Sequence, residues 1–120
     1  MTGGQMAPTT LIGQKTTTTP KGRNPNDGDG WPLKLTEMMA SLEGVYFAVR
    51  SSITTPRGVK QTKKYIKKAF INQIDEKGFS IVEVLSPCPT IWKKEPIEAM
   101  AWIDQELVKE FPLGVIKDEG

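Results

Sequence analysis

Two apolar runs separated by one long helical pattern constrain the fold of this chain more than any other feature. The first run, residues 45–49, contains aromatic and β-branched side chains and no charge, which is typical of a parallel strand covered on both faces. The second, residues 79–85, has the same character apart from Glu83. Because parallel strands need a crossover connection, usually a helix, the segment 45–85 predicts one right-handed βαβ unit. We therefore expect an α/β fold with parallel strands.

The crossover helix has a clear start and stop. Thr55 and Pro56 are a favourable N-cap and first-turn pair, and the helical pattern ends near Lys77, before Gly78. Its apolar side chains predict a buried stripe made of Val59, Ile66, Ala69, Phe70 and Ile74. Basic side chains lie elsewhere around the helix, at Arg57, Lys60, Lys63, Lys64, Lys67 and Lys68. They form either a solvated face or a docking surface for an acidic protein.

Further helices are predicted on both sides of this unit. The first begins after Pro32 and ends at Gly44, with helical spacing at Leu35, Met38, Met39 and Leu42. The last helix opens at Pro96 and precedes a polar tail. Its inward face is predicted to comprise Ile97, Met100, Ile103, Leu107 and Phe111. Residues 33–120 are therefore expected to form an α/β portion.

Residues 1–32 are expected to be an irregular loop. They include four consecutive threonines at positions 16–19 and a series of turn-forming residues at 24–30. A loop of this length is uncommon in a compact domain and is usually functional or disordered. We expect a functional loop ordered by a cofactor and its neighbours, with a flexible linker as the alternative.

The residue types exclude several kinds of site. Cys88 is the single cysteine and the chain has no histidine, so an intrachain disulfide, a self-contained zinc or iron–sulfur site, and histidine-based catalysis are excluded. A cofactor must therefore carry any chemistry here. Cys88 itself is expected to be a small buried hydrophobe. Glu83 lies within an apolar strand and needs a partner, so it either pairs with a cation or faces a cleft, and we expect a structural ion pair.

The charge and the hydropathy of the chain argue against two classes of partner, nucleic acids and membranes. The chain has 16 Lys and Arg, 14 Asp and Glu, and a formal charge of +2, whereas nucleic-acid binders are usually far more basic. No aromatic stacking platform accompanies the lysines of the crossover helix. No apolar run approaches the roughly 20 residues that span a membrane, and no leader opens the chain. We therefore expect a cytoplasmic protein without nucleic-acid or membrane partners.

The N-terminus contains the strongest candidate for ligand binding. Gly3 and Gly4 lack a Cβ atom, so backbone amides there can approach a phosphate or a ring, and threonine hydroxyls at positions 2, 9 and 10 add donors. The first five residues also occur in a common epitope tag, but that tag continues with a second glutamine where this chain has Met6. A ligand-binding loop is therefore the better interpretation.

Three segments carry a resemblance to a known family. Residues 2–10 (Thr-Gly-Gly-Gln-x-x-Pro-Thr-Thr), 19–22 (Thr-Pro-x-Gly) and 85–90 (Leu-Ser-Pro-Cys-Pro-Thr) resemble the thiamine-diphosphate-binding β subunit of 2-oxoacid:ferredoxin oxidoreductases. In that family a Gly-Asp-Gly segment and an Asn-Asn-x-x-Tyr-Gly segment precede this loop and hold Mg²⁺ and the diphosphate. Both are absent here, so the chain resembles the C-terminal part of the subunit. The triplet at 28–30 follows the loop instead, which favours a turn over a metal site.

The resemblance implies a reaction and a set of site residues. The reaction is oxidative decarboxylation of a 2-oxoacid (2-oxoglutarate, a branched-chain 2-oxoacid or pyruvate) to an acyl-coenzyme A, with electrons passed to ferredoxin through iron–sulfur clusters on other subunits. Thr2 is implied to lie beside the substrate carbonyl and is the one catalytic candidate. The residues implied to contact thiamine diphosphate are Met1, Thr2, Gly3, Gly4 and Gln5. Mg²⁺ ligands are implied only upstream of this chain.

The implied partners are the other oxidoreductase subunits, ferredoxin, the 2-oxoacid and coenzyme A, within an oligomer. The 120 residues alone are expected to be inactive, because the segments that hold the diphosphate are missing. The alternative is a non-catalytic α/β module that retains assembly surfaces.

Overall fold

The computed structural model describes residues 5–120, which form two compact units. The first, here called the loop unit, comprises residues 5–34 and 86–111. The second, the sheet unit, comprises residues 35–85 and 112–120. None of the helices in the described part of the chain has the length and apolar character needed to cross a membrane.

A three-stranded sheet forms the centre of the sheet unit, in the order β2-β1-β3. Strand β1 spans Val45–Ser52, β2 spans Phe79–Leu85 and β3 spans Gly114–Asp118. β1 pairs in parallel with β2 and antiparallel with β3. Helices α1 (Leu35–Ala40) and α2 (Pro56–Ile74) both pack against β1. The predicted α/β class and the β1-α2-β2 unit are therefore confirmed.

The start of α2 lies where it was predicted and follows from its capping. Thr55 has an extended backbone, and its side chain accepts a hydrogen bond from the amide of Gly58 at 3.0 Å. Pro56 occupies the first turn, where its missing N–H costs nothing. The last helical residue is Ile74, three residues before the predicted end.

The polar tail predicted after the last helix is wrong. Residues 114–118 form β3, and the Lys68 ammonium of α2 holds the Asp118 carboxylate at 2.6 Å. The hydrogen bond from Lys68 holds the pKa of Asp118 below its usual value. Lys68 also lies 5.0 Å from the centre of the Phe47 ring. A five-residue strand that pairs with a segment about 65 positions earlier leaves little local pattern in the sequence.

The buried stripe predicted on α2 is also wrong. Val59, Ile66, Phe70 and Ile74 are 36%, 40%, 67% and 77% exposed. The side chains that α2 turns towards β1 are more polar: Thr62 donates to Ser51 at 3.0 Å, and the Tyr65 ring packs 6.1 Å from that of Phe47. Helical spacing identifies side chains that share a face, but it does not show whether the protein covers that face.

The described residues of the loop unit contain a 3₁₀ helix at Pro25–Asp27 and three short α-helices. These are α3 (Pro89–Trp92), α4 (Pro96–Trp102) and α5 (Val108–Glu110), and a π-helical turn at Ile103–Leu107 joins the last two. The predicted helix start at Pro96 is confirmed. Of its predicted inward face, Ile103, Leu107 and Phe111 are fully buried, whereas Ile97 is 80% exposed. Ile97 was therefore wrongly assigned to the interior.

Candidate functional site

Most of the predicted cofactor contacts lie outside the described residues. Met1, Thr2, Gly3 and Gly4 belong to the part of the chain that the structure does not describe. The fifth, Gln5, is exposed in a bend. Their contact with a cofactor therefore remains a prediction. The structure does show the hydrogen bonds that hold the backbone directly after Gln5.

One buried arginine organises the loop that follows Gln5. Arg23 is 5% exposed, and its guanidinium donates hydrogen bonds to backbone carbonyls at both ends of the loop. At the start of the loop it reaches Ala7 (3.1 Å), Pro8 (3.2 Å) and Thr10 (2.7 Å). At the end it reaches Gly30 (3.0 Å) and Trp31 (2.6 Å). Arg23 therefore joins the two ends of a 25-residue segment, 7–31.

Burial also determines the electrostatics of Arg23. Desolvation lowers the pKa of its guanidinium, and the negative charge of Asp29 partly opposes that effect. The Asp29 carboxylate itself accepts a hydrogen bond from the amide of Asn24 at 2.8 Å. Arginine remains protonated under these conditions because its intrinsic pKa is very high. The loop is thus built around a permanent buried charge that is satisfied by carbonyl dipoles.

The threonine run at 16–19 is an ordered part of this loop. Thr16 and Thr19 exchange backbone hydrogen bonds at 3.2 Å, and their hydroxyls lie 2.7 Å apart. The Thr18 hydroxyl accepts from the amide of Met6 at 2.9 Å, next to the predicted cofactor contacts. The flexible-linker alternative is therefore not supported, because these hydroxyls are engaged inside the loop.

Gly22 shows why a glycine ends the Thr-Pro-x-Gly segment. Its φ is +98°, and a Cβ there would lie 2.6 Å from the carbonyl oxygen of Gly13. Two segments of the loop meet at this point, since the amide of Gly13 donates to the carbonyl of Arg23 at 2.8 Å. Only a residue without a side chain permits this close approach.

The triplet at 28–30 forms the expected turn. Gly28 and Gly30 both have positive φ, and Asp29 is used to hold the backbone of Asn24. Among the described residues no group of three or more histidine, cysteine, aspartate or glutamate side chains is arranged to hold a metal. The half-buried Cys88 is a free thiol at the start of α3.

A second buried arginine accounts for Glu83. Arg50 on β1 is fully buried, and its Nε lies 2.7 Å from the Glu83 carboxylate on β2. Its Nη1 lies 2.7 Å from Glu37 of α1, and the Thr36 hydroxyl donates to Glu83 as well. Burial lowers the pKa of Arg50, but the hydrogen bonds and charges of the two glutamates outweigh it and leave the pKa raised. The structural ion pair predicted for Glu83 is confirmed.

The basic residues of α2 do not form one uniform surface. Within the sheet unit Lys68 forms an ion pair with Asp118 and a cation–π contact with the Phe47 ring. Lys60, Lys63, Lys64 and Lys67 are exposed. Arg57 is exposed as well, so five of the six basic residues of the predicted basic face lie on the surface.

Comparison with known proteins gives a consistent set of relatives. The chain is 42% identical over 118 residues to the ketoisovalerate oxidoreductase subunit VorA of Methanothermobacter marburgensis, an alignment that covers 98% of this chain and 24% of that subunit. It is 34% identical over 100 residues to the 2-oxoglutarate synthase subunit KorB of Archaeoglobus fulgidus, covering 83% of this chain and 33% of KorB. It is 28% identical over 110 residues to the 2-oxoacid:ferredoxin oxidoreductase subunit beta of a Sulfolobus species, covering 91% and 30%. No family model and no solved structure matches it significantly.

Proposed function

This chain belongs to the family of 2-oxoacid oxidoreductase subunits and spans about a quarter of the length of VorA and a third of that of KorB, and we propose that it serves the cofactor-binding part of such a subunit. The reaction would be oxidative decarboxylation of a 2-oxoacid to an acyl-coenzyme A, with electrons passed to ferredoxin. The observation that supports this most strongly is the 42% identity maintained over 98% of the chain.

The N-terminal residues are the part of this chain assigned to the cofactor. Met1, Thr2, Gly3, Gly4 and Gln5 would hold thiamine diphosphate, which supplies the nucleophilic carbon and the electron sink when bound. The described residues include no carboxylate cluster that fits Mg²⁺, so the proposal assigns no metal ligand to this chain. Thr2 would donate a hydrogen bond near the substrate carbonyl, and Arg23 would keep the following backbone in place.

The names of the relatives suggest which substrate to test first. The two VorA subunits at 42% identity are named for ketoisovalerate, whereas the KorB subunits named for 2-oxoglutarate are 30–37% identical. We therefore propose a branched-chain 2-oxoacid as the substrate of the complete enzyme.

Thr2→Val in the complete enzyme tests this assignment. The substitution keeps the shape of the side chain and removes one hydroxyl next to the proposed reacting carbon. Loss of one hydrogen bond to developing charge typically costs about 10²–10³ in turnover, and we expect that loss with cofactor binding retained. Carbon dioxide release from ketoisovalerate measures turnover. The exposed Lys77 is the control position, and Lys77→Gln should release carbon dioxide at the rate of the unmodified enzyme. Unchanged turnover in Thr2→Val would contradict the proposed site.

An assembly role is the second candidate, because the sheet unit presents an uncovered apolar groove. Ile66 and Phe70 of α2 and Phe79 and Val82 of β2 line a groove of about 330 Å³. Within the described residues β2 pairs with β1 alone, so its other edge has free backbone donors and acceptors. Exposed edges and apolar patches of this kind are sites of association.

We accordingly expect the isolated chain to self-associate. Phe70→Glu should shift it towards the monomer, because the substitution places a charge in the lining of the groove. Lys64→Glu also introduces a negative charge on α2, but outside the groove, and should leave the association constant within about twofold, since exposed charges contribute little. Analytical ultracentrifugation measures both. A compact monomer at high concentration would argue against the assembly role.

A further inference from the structure

The backbone that follows the proposed cofactor contacts is held by a threonine side chain from farther along the loop. The amide of Met6 donates to the Thr18 hydroxyl at 2.9 Å, across twelve positions in the sequence. Among residues 5–120 the backbone of Met6 has no other hydrogen-bond partner. Thr18 therefore holds the peptide unit through which Gln5 continues into the loop.

This contact determines the orientation of one whole peptide unit. The peptide bond between Gln5 and Met6 is planar, so an N–H held in one direction also fixes the direction of the Gln5 carbonyl. The next amide, that of Ala7, donates to the hydroxyl of the fully buried Thr10 at 2.8 Å. The backbone of Met6 and Ala7 is thus anchored within the loop unit, and the direction in which Gln5 leaves it depends on Thr18.

The turn at residues 16–19 places Thr18 next to Met6. The buried Thr16 and Thr19 close the turn, since their hydroxyls lie 2.7 Å apart and the Thr16 hydroxyl also accepts from the amide of Thr19 at 3.1 Å. Thr18 is exposed, and its hydroxyl lies 3.4 Å from that of Thr16. Thr17 is exposed as well, but its hydroxyl has no hydrogen-bond partner within the described residues. The two exposed threonines of one turn therefore differ in a single contact, the one with Met6.

We infer that Thr18 is a positioning residue for the segment 1–5. Its hydroxyl sets the direction in which this segment leaves the loop unit, and so the direction from which the segment meets the cofactor. The inference rests on the proposed function, because residues 1–5 contact thiamine diphosphate only in that proposal. Thr18 acts through the backbone of Met6 and needs no contact with the cofactor. A segment that is already oriented loses less conformational freedom when a ligand binds, which strengthens binding.

Thr18→Val in the complete enzyme tests the inference. Valine keeps the β-branched shape and removes the oxygen that accepts from Met6. The peptide unit before Met6 then leaves its binding orientation for part of the time, and an apparent dissociation constant rises in inverse proportion to the binding-competent fraction. Loss of one hydrogen bond corresponds to a rise of about two- to tenfold. Titration calorimetry of the cofactor-depleted enzyme with thiamine diphosphate and Mg²⁺ measures it.

Two further variants show whether the hydroxyl of Thr18 is responsible. Thr18→Ser keeps the acceptor and should restore the affinity of the unmodified enzyme. Thr17→Val is the matched control, because it removes a neighbouring exposed hydroxyl that has no partner among the described residues. This control should leave the dissociation constant unchanged. Equal weakening in Thr17→Val and Thr18→Val, or no recovery in Thr18→Ser, would overturn the inference.

Hydrogen exchange in the enzyme without cofactor separates positioning from unfolding of the loop. The Met6 amide should lose its protection in Thr18→Val and keep it in Thr17→Val. The amides of Gly13 and Arg23 donate to carbonyls across the loop at 2.8 and 3.0 Å, and they should remain protected in both variants. Equal exchange of the Met6 amide in the two variants, or lost protection at Gly13 and Arg23 in Thr18→Val, would contradict the positioning role.

Gly4→Val distinguishes a failure of this inference from a failure of the proposed function. A side chain at position 4 removes the close backbone approach on which the proposed cofactor contact depends, so it should weaken binding of thiamine diphosphate whatever the role of Thr18. Normal affinity in Thr18→Val together with weak binding in Gly4→Val would overturn the inference alone. Normal affinity in both variants would overturn the proposed function as well.

Discussion

Arg50→Met is expected to lower the free energy of unfolding of the sheet unit by about 3–5 kcal/mol, the usual cost of removing one partner from a buried ion pair. Arg50 is fully buried, and the side chain of Glu83 is only 17% exposed. Methionine fills a similar volume but leaves the Glu83 carboxylate without its cation. The carbonyl of Pro112, which accepts from Arg50 at 3.2 Å, also loses its donor. The effect should therefore extend from β2 to the segment that leads into β3.

Urea denaturation followed by far-ultraviolet circular dichroism measures this loss. Arg57→Met is the matched control, because Arg57 is exposed on α2 and forms no ion pair among the described residues. Surface substitutions of this kind usually change stability by no more than about 0.5 kcal/mol. The double variant Arg50→Met with Glu83→Met should recover part of the loss, since it removes the unpaired charge as well. Equal stability of the Arg50 and Arg57 variants would show that the buried pair is not a stabilising element.

The sequence predicted the β1-α2-β2 unit because each of its signals is local. An uncharged apolar run, a Thr-Pro helix start and a second run bounded by glycine and proline require no knowledge of distant residues. The same reasoning ended β1 at residue 49, because Arg50 does not fit an apolar run. In the structure β1 continues to Ser52, and Arg50 lies opposite Glu83 in the parallel register. The signal for this longer strand was Glu83, an acidic residue within an apolar strand. Its carboxylate required a cation at the matching position of the neighbouring strand.

The errors share a different cause. β3 depends on pairing between residues 114–118 and 47–50, and the exposure of the α2 stripe depends on which elements pack against that face of the helix. Both depend on contacts between residues that are distant in the sequence, and such contacts override the local periodicity. The candidate site at residues 1–5 was predicted from a family resemblance that residues 2–10, 19–22 and 85–90 carry. The residue that organises the adjoining loop, Arg23, belongs to no pattern that periodicity detects. Its role appears only when five carbonyl groups converge on one guanidinium.

Arg23→Met should therefore release the loop unit from its present conformation. Hydrogen bonds from a charged donor each contribute roughly 1.5–3 kcal/mol, and Arg23 donates to five carbonyls. The loss should be at least about 3 kcal/mol, and it should take the form of local unfolding, because loops open in smaller units than the whole protein does. Lysine at the same position has one ammonium in place of a planar fork and cannot reach both ends of the loop. Arg23→Lys should consequently fail to restore more than part of the stability.

Hydrogen exchange at individual amides distinguishes this local opening from global unfolding. The amides of Gly13, Arg23 and Leu33 donate to backbone carbonyls within the loop unit, and all three should lose protection in Arg23→Met. The amides of β1 belong to the sheet unit and should keep theirs. Lys21→Met is the control, because Lys21 is an exposed cation two residues away in the same loop. If the three loop amides exchanged equally slowly in Arg23→Met and Lys21→Met, the loop would not depend on its buried charge, and Arg23 could not be the residue that positions the backbone next to the proposed cofactor contacts.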